Sequence, residues 1–527
     1  MSFTAWYYPF FLGGVGLLYW RLPGRARIGL ILVASYVFYG VWDARFLALL
    51  LTSTVIDYYG GLAMVGQREP LGRVVFAAAL PGLWLAGYTI ATGRTDTVAA
   101  WILGAAATFP LLFPALYTLL WGRPPGLQRR AFLILSVLTN LTVLGFFKYF
   151  NFFAGSLLDL LAALGWQPGW TLPRIILPVA ISFYTFQSIS YAVEIYRGRS
   201  EPVRDALTFA AYLAFFPQLV SGPIERPYHL VPQFLRPAAW SVEDFHWGLR
   251  SILVGLFKKV FVADNCALLA NYAFDPKTPL TAPWALLGIL AFAFQIYGDF
   301  SGYTDIARGS GRLLGFRLSQ NFRFPYFARS GPDFWARWHI TFSTWLRDYI
   351  FFVLPGNRQG TVGPYVNLVI TFLIGGLWHG ASWMFVLWGA YQGILLVLYR
   401  AVPALRRLAA PSDRPTWRVP ASMILMFVLT LLGWVVFRCQ DPGVLAGWFA
   451  ALGQWHRDGA AGWVQPAYWL LVHVLPLLAL QALAWRTREE TELDHLPWGV
   501  RGVVYLVLTL AVLTSSGADV EFLYFQF

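Results

Sequence analysis

The chain has 527 residues, of which 58% are hydrophobic, 18% aromatic and only 12% charged. Soluble domains carry roughly a quarter charged residues, and no water-solvated fold of this length hides so much apolar surface; lipid as the solvent accounts for it. The net charge of +13 fits cytoplasmic loops enriched in Lys and Arg and argues against a nucleic-acid partner, because no basic and aromatic module stands apart from the apolar runs.

The first apolar run, near 6–20, lacks a positively charged start and a small-residue cleavage site, so it reads as a retained span. Arg21, Arg25 and Arg27 follow with no acid before Asp43, which puts that loop in the cytoplasm and the N-terminus outside. Apolar runs come next at 28–51, 74–91, 98–121, 131–164, 173–196, 206–224, 246–272 and 283–300. The last ones lie at 338–355, 364–399, 419–437, 466–485 and 500–515. Several are short or interrupted, so the expected architecture is an all-α polytopic membrane protein with roughly 10 to 14 transmembrane or re-entrant helices. Turn-rich edges at 67–73 and 122–130 mark 69–130 as an insertion carrying extra spans. No linker is long enough to release a soluble domain, so 1–527 reads as one membrane domain.

Basic residues cluster between the runs: Arg123, Arg129 and Arg130; Lys258 and Lys259; Arg400, Arg406, Arg407, Arg414 and Arg418. They are assigned to the cytoplasmic loops. Cys266 and Cys439 are far apart and each lies beside an apolar run, which argues against a disulfide framework or a cysteine metal site.

Polar residues inside apolar segments carry the chemistry. Gln187, Ser188 and Ser190 suit interhelical hydrogen bonds. Asp299 and Asp305 close the run at 283–300; a carboxylate at a helix centre costs roughly 2.5–3.5 kcal/mol on insertion. Each is therefore expected to face a polar cavity or to pair with an arginine. Between Asn321 and Asn357 charges and aromatics alternate. On one helix beginning near Pro332, Trp335, Trp338, Phe342, Trp345, Leu346 and Tyr349 share a face. Asp333, Arg337, Thr341, Thr344 and Asp348 take the other, the pattern of an interfacial or cavity-lining helix. His339 falls on the aromatic face. Arg337 and Arg347 suit either a cytoplasmic phosphate contact or pairing with Asp333 and Asp348.

His379 stands in the otherwise uncharged stretch 369–388. A titratable group in such a segment marks a functional site, because its nitrogens must be satisfied without bulk water. A metal site built from His339, His379, Asp299 and Asp305 lacks any ligand-spaced motif, and neither Gly-x-Ser-x-Gly nor a Walker A pattern occurs. These residues alone leave open an enzyme, a transporter or flippase of polysaccharide or lipid precursors, and a recruiting scaffold.

Seven segments together resemble the membrane-bound O-acyltransferase family, nearest its bacterial branch that acetylates alginate and related exopolysaccharides. They are Leu177-Pro-Val-Ala-Ile-Ser-Phe-Tyr-Thr-Phe-Gln-Ser-Ile-Ser-Tyr191, Phe215-Phe-Pro-Gln-Leu-Val-Ser-Gly-Pro-Ile224, Gly255-Leu-Phe-Lys-Lys259, Asp299-Phe-Ser-Gly-Tyr303, Asp333-Phe-Trp-Ala-Arg-Trp-His-Ile340, Ser343-Thr-Trp-Leu-Arg-Asp348 and Gly375-Gly-Leu-Trp-His-Gly-Ala-Ser-Trp383. The closing Phe522-Leu-Tyr-Phe-Gln-Phe527 is similar too, and the resemblance spans 1–60 and about 135–527.

The resemblance implies acyl transfer inside a thin, funnelled membrane core, with 135–400 as the catalytic core and 401–527 as C-terminal helices. The family's two signature histidines match His379 and His339. It further implies acetyl-CoA or another cytoplasmic thioester as donor, with no bound cofactor. The acetyl group would pass toward the periplasm from a multi-pass protein of the bacterial inner membrane. A periplasmic or membrane-anchored partner with an SGNH-hydrolase-like fold would complete transfer to a polysaccharide. Teichoic acid and lipid are alternative acceptors.

In that scheme His379 is the general base, since neutral imidazole, with its ordinary pKa near 6.5, suits the task. His339 orients it, positions the acyl group or polarises the carbonyl. Trp338, Trp378, Arg337, Asp299, Ser301, Gln187 and Ser343 are candidate substrate-binding residues. The chain departs from the family pattern in the insertion, at Gly298, where a larger residue is expected, and at Phe351-Phe-Val-Leu-Pro-Gly-Asn357.

Overall fold

The computed structural model describes residues 2–93, 97–166, 169, 175–220, 222–358, 360–410, 417–455, 461–487, 489, 491, 493–515 and 522–523. Ser221, Arg414 and residues 524–527 of the closing motif lie outside the described residues. Every regular element among those described is helical. Among the described residues eight helical runs are long and apolar enough to cross a bilayer, the longest being Gly24–Met64 and Pro125–Ala163. Shorter apolar helices cover Ala206–Leu219, Pro442–Ala451 and Trp498–Thr514. The chain is thus all-α and multi-pass, as its composition requires.

The chain divides into two compact units. The first comprises Met1–Phe245 and Ser310–Leu318. Its helices are α1 (Tyr8–Arg21), α2 (Gly24–Asp43), α3 (Leu47–Met64), α4 (Leu71–Thr92), α5 (Thr97–Leu120), α6 (Pro125–Leu144), α7 (Phe150–Ala163), α8 (Ile181–Tyr196), α9 (Ala206–Ala214), α10 (Phe216–Leu219) and α11 (Pro227–Leu235). Helix α3 is its buried axis. Asp57, halfway along α3, is 1% exposed. Its carboxylate accepts from Ser136 Oγ at 2.5 Å and Asn140 Nδ2 at 3.2 Å, both on α6. These bonds replace the water that an intramembrane acid lacks. The expected insertion contains α4 and α5, which form a hairpin. Most of α4 faces outward, only 22% of its apolar window being buried.

The second unit comprises His246–Gly309 and Ser319–Phe527. It holds most of α12 (Val242–Leu256), α13 (Asp264–Phe274), most of α14 (Ala282–Leu313), and then α15 (Gly331–Trp335), α16 (Ile340–Leu346), α17 (Gly363–His379) and α18 (Trp383–Ala401). The short α19 (Pro403–Ala409) precedes α20 (Arg418–Arg438), α21 (Pro442–Ala451), α22 (Ala461–Leu483) and α23 (Trp498–Thr514). Helix α14 is its centre, with 78% of its apolar window buried.

Small residues let α14 approach α12 and the segment that follows it almost backbone to backbone. A Cβ placed on Gly302 would lie 2.7 Å from the Gly255 carbonyl oxygen, and one on Gly255 would lie 2.6 Å from the Gly302 oxygen. Close contact of this kind drives helix association in lipid, where apolar burial contributes nothing between helices. Gly298 belongs to the same seam: a Cβ there would sit 2.7 Å from the Lys258 oxygen. The larger residue expected at 298 would collide with this backbone, so glycine is what the crossing demands. Gly302→Leu is expected to destabilise the protein by about 3 kcal/mol through overpacking. Thermal unfolding in detergent tests this, and an unchanged midpoint would contradict the crossing.

Candidate active site

Helices α17 and α18 form a tight hairpin that ends beside His379. A Cβ on Gly376 would strike the Phe385 carbonyl oxygen, and one on Gly389 would strike that of Phe372. Gly376 therefore serves backbone contact, whereas a Cβ on Gly375 would meet the Leu346 side chain at 3.0 Å. His379 is the last residue of α17; Gly380 then turns extended, and Ser382 caps α18. The imidazole is 4% exposed. Trp378 and Trp388 lie at 4.9 Å between ring centroids, and Phe342 and Phe437 at 5.4 Å.

His339 reaches the same aromatic box by a different route. The single helix expected from Pro332 to Tyr349 is broken. Helix α15 ends at Trp335, α16 begins at Ile340, and a π-turn covers Arg347–Phe351. His339 is the N-cap of α16, at φ 42° and ψ 55°. A left-handed conformation costs an L-residue roughly 1–2 kcal/mol, and histidine is among the residues that tolerate it best. Strain of this sort gathers where function over-determines geometry.

The break turns the His339 ring toward Phe300 at 4.6 Å, Phe342 at 4.9 Å and Trp378 at 5.8 Å. Both imidazoles thus lie against Phe342 and Trp378. His339 is fully buried, and neither of its ring nitrogens has a hydrogen-bond partner among the described residues. Each buried, unmade bond costs about 1–3 kcal/mol. An orphan pair of this kind calls for a visiting group.

The other residues singled out in the sequence are dispersed. Trp378 lies between the histidines. Trp338 packs among Tyr297, Phe322, Phe334 and Trp434. Ser301 is 1% exposed, and its Oγ has no partner among the described residues. Ser343 donates to the Trp335 carbonyl at 2.8 Å, which ties α16 to α15. Gln187 is in the first unit and donates to the Tyr212 carbonyl at 2.9 Å. Arg337 pairs with Asp333 at 2.6 Å and Arg347 with Asp348 at 2.8 Å.

Asp299 pairs with a lysine, where an arginine or a polar cavity was expected. Lys259 Nζ lies 2.8 Å from Asp299 and 2.6 Å from Asp264, and Asp299 also accepts the Leu523 N–H at 2.7 Å. Asp305 meets Lys258 at 2.6 Å and Arg308 at 3.7 Å, while Arg308 reaches Glu489 at 2.5 Å. Lys258 and Lys259 are each 2% exposed and helical, which corrects their assignment to a loop. Successive residues of an α-helix point about 100° apart. The π-turn at Phe257–Ala263 departs from that spacing, and both lysines reach carboxylates of α14. Two adjacent lysines inside the apolar run 246–272 were the clue; the aromatic walls Phe300, Phe342, Trp388 and Phe437 gave none, being indistinguishable from core residues. Among the described residues no three His, Cys, Asp or Glu side chains converge as metal ligands.

The fold is therefore that of a multi-pass helical membrane protein with two histidines buried in one aromatic box. Residues 203–439 match the model of the membrane-bound O-acyltransferase family. The chain is 38% identical over 456 residues to a probable alginate O-acetylase of Azotobacter vinelandii, covering 86% of this chain and 78% of that protein. It is 36% identical to a peptidoglycan O-acetyltransferase of Helicobacter pylori, over 60% of this chain and 63% of the other. A teichoic acid D-alanyltransferase of Bacillus subtilis is 25% identical, over 51% and 71% respectively. The chain belongs to the membrane-bound O-acyltransferase family and is an O-acyltransferase.

Proposed function

We propose that this chain is an O-acetyltransferase of the bacterial inner membrane. It takes an acetyl group from a cytoplasmic thioester, acetyl-CoA, for O-acetylation of an extracytoplasmic polysaccharide. A periplasmic or membrane-anchored SGNH-hydrolase-like protein is the partner that completes delivery. The observation that carries this reading is the shared box of His379 and His339, buried against the same Phe342 ring, in a chain whose relatives include an alginate O-acetylase and a peptidoglycan O-acetyltransferase.

His379 takes the proton from an acceptor hydroxyl as that oxygen attacks the thioester carbonyl. The carbon–sulfur bond then breaks, and the imidazolium returns its proton to the departing thiolate. Placement at the C-terminal end of α17 favours the transient imidazolium, because the helix dipole is negative there. His339 holds or polarises the carbonyl. Its two unpartnered nitrogens suit a group that bonds only when substrate arrives. The aromatic walls exclude water, which strengthens such contacts and limits hydrolysis.

The test is base-labile acetate on the surface polysaccharide of cells with and without this chain. Deletion is expected to remove it and the wild-type chain to restore it. Unchanged acetate after deletion would refute the proposal.

A further inference from the structure

We propose that Asn321 is a positioning residue that holds His339 in place by capping α16 from outside the helix; this rests on the reading of His339 as an active-site group. At a helix N-terminus the first N–H groups have no partner within the helix, and the N-cap side chain normally supplies one. His339 occupies that position in α16 but makes no side-chain cap bond. Its ring is committed to the box between Phe300 and Phe342.

Asn321 supplies what the imidazole does not. Its Oδ1 accepts from the Thr341 N–H at 3.2 Å and the Thr341 hydroxyl at 2.6 Å. Its backbone carbonyl accepts from the Ile340 N–H at 2.9 Å. Two residues on, the Arg323 N–H donates to the Arg337 carbonyl at 2.9 Å. The strained residue is therefore pinned from both sides by one short strip of chain. Asn321 is fully buried, so water cannot stand in for it. A self-capping Ser or Asp at 339 would fold this turn without help; the external cap leaves the imidazole free for substrate.

Surface-polysaccharide acetate in cells dependent on this chain reads the effect, alongside the amount of folded protein extracted. Asn321→Leu is expected to lower acetate roughly tenfold to hundredfold, the loss that follows displacement of a reacting group by about 1 Å. Asn321→Asp keeps the accepting oxygen but buries a carboxyl group, so it is expected to give more acetate than the leucine variant and less than the wild type. Cryo-electron microscopy of the leucine variant is expected to show residue 339 out of its left-handed turn. Wild-type acetate from Asn321→Leu, or an undisturbed His339 in its map, overturns the inference. If that variant does not fold, Thr341→Val, which loses the hydroxyl bond to Asn321, is expected to reduce acetate several-fold, and a wild-type level there overturns it equally. His339→Ala with full acetate would instead remove the role of His339 itself.

Discussion

Replacing His379 with alanine is expected to abolish acetyl transfer and to leave a folded membrane protein. The side chain ends α17, and the hairpin around it is held by glycine contacts between backbones. Removing the ring vacates one place among four aromatic neighbours, which a protein of this size tolerates. Loss of a general base alone lowers rates by about 10²–10⁴-fold, and the orientation lost with it deepens the defect. Purified protein in detergent, with acetyl-CoA, a hydroxyl acceptor such as polysaccharide and no gradient or second compartment, reads the step as free thiol. A well-folded His379→Ala variant that turns over at the wild-type rate would exclude the mechanism. Turnover by the wild type under those conditions also separates an enzyme from a transporter, which needs two compartments, and from a scaffold, which needs neither histidine.

Lys259→Met is expected to be the most destabilising single change in the second unit. It leaves Asp299 and Asp264, 3% and 6% exposed, as buried carboxylates stripped of their shared cation. Breaking one side of a buried ion pair costs about 3–5 kcal/mol, whereas neutralising both sides is often tolerated. Thermal unfolding of detergent-purified protein is therefore expected to collapse for Lys259→Met. Most of the loss is expected to return when Asp264→Asn and Asp299→Asn are added. An unaltered midpoint in the single variant would mean that the ion pairs are incidental. Activity is expected to follow stability here, because Asp299 directly precedes Phe300, the ring against which His339 packs.

What could be read from the residues alone follows the range of each interaction. Apolar composition sets the solvent, and the solvent permits only helices, so the architecture was legible. His379 was legible because polarity inside an apolar run is a local contrast. The break at His339 was not. Trp335, Trp338, Phe342 and Trp345 keep helical spacing across it, and all are buried. What interrupts the helix is the carbonyl of Asn321 taking the Ile340 N–H, a bond no periodicity reveals. Lys258 and Lys259 were misplaced for the same reason. Their charge suggested a loop, but each has a carboxylate partner on α14, reached because Gly255, Gly298 and Gly302 bring the two backbones together. Gly298 looked like a departure until that seam explained it.

The outward-facing α4 has a practical consequence for handling the protein. A helix with 22% of its apolar window buried owes its place largely to the acyl chains around it, not to neighbouring side chains. Short-chain micelles withdraw that support, so the α4–α5 hairpin is expected to loosen first on solubilisation. The glycine seam and ion pairs of α14 do not depend on lipid in this way. Nanodiscs or long-chain amphiphiles are accordingly the media in which the whole molecule keeps its native arrangement.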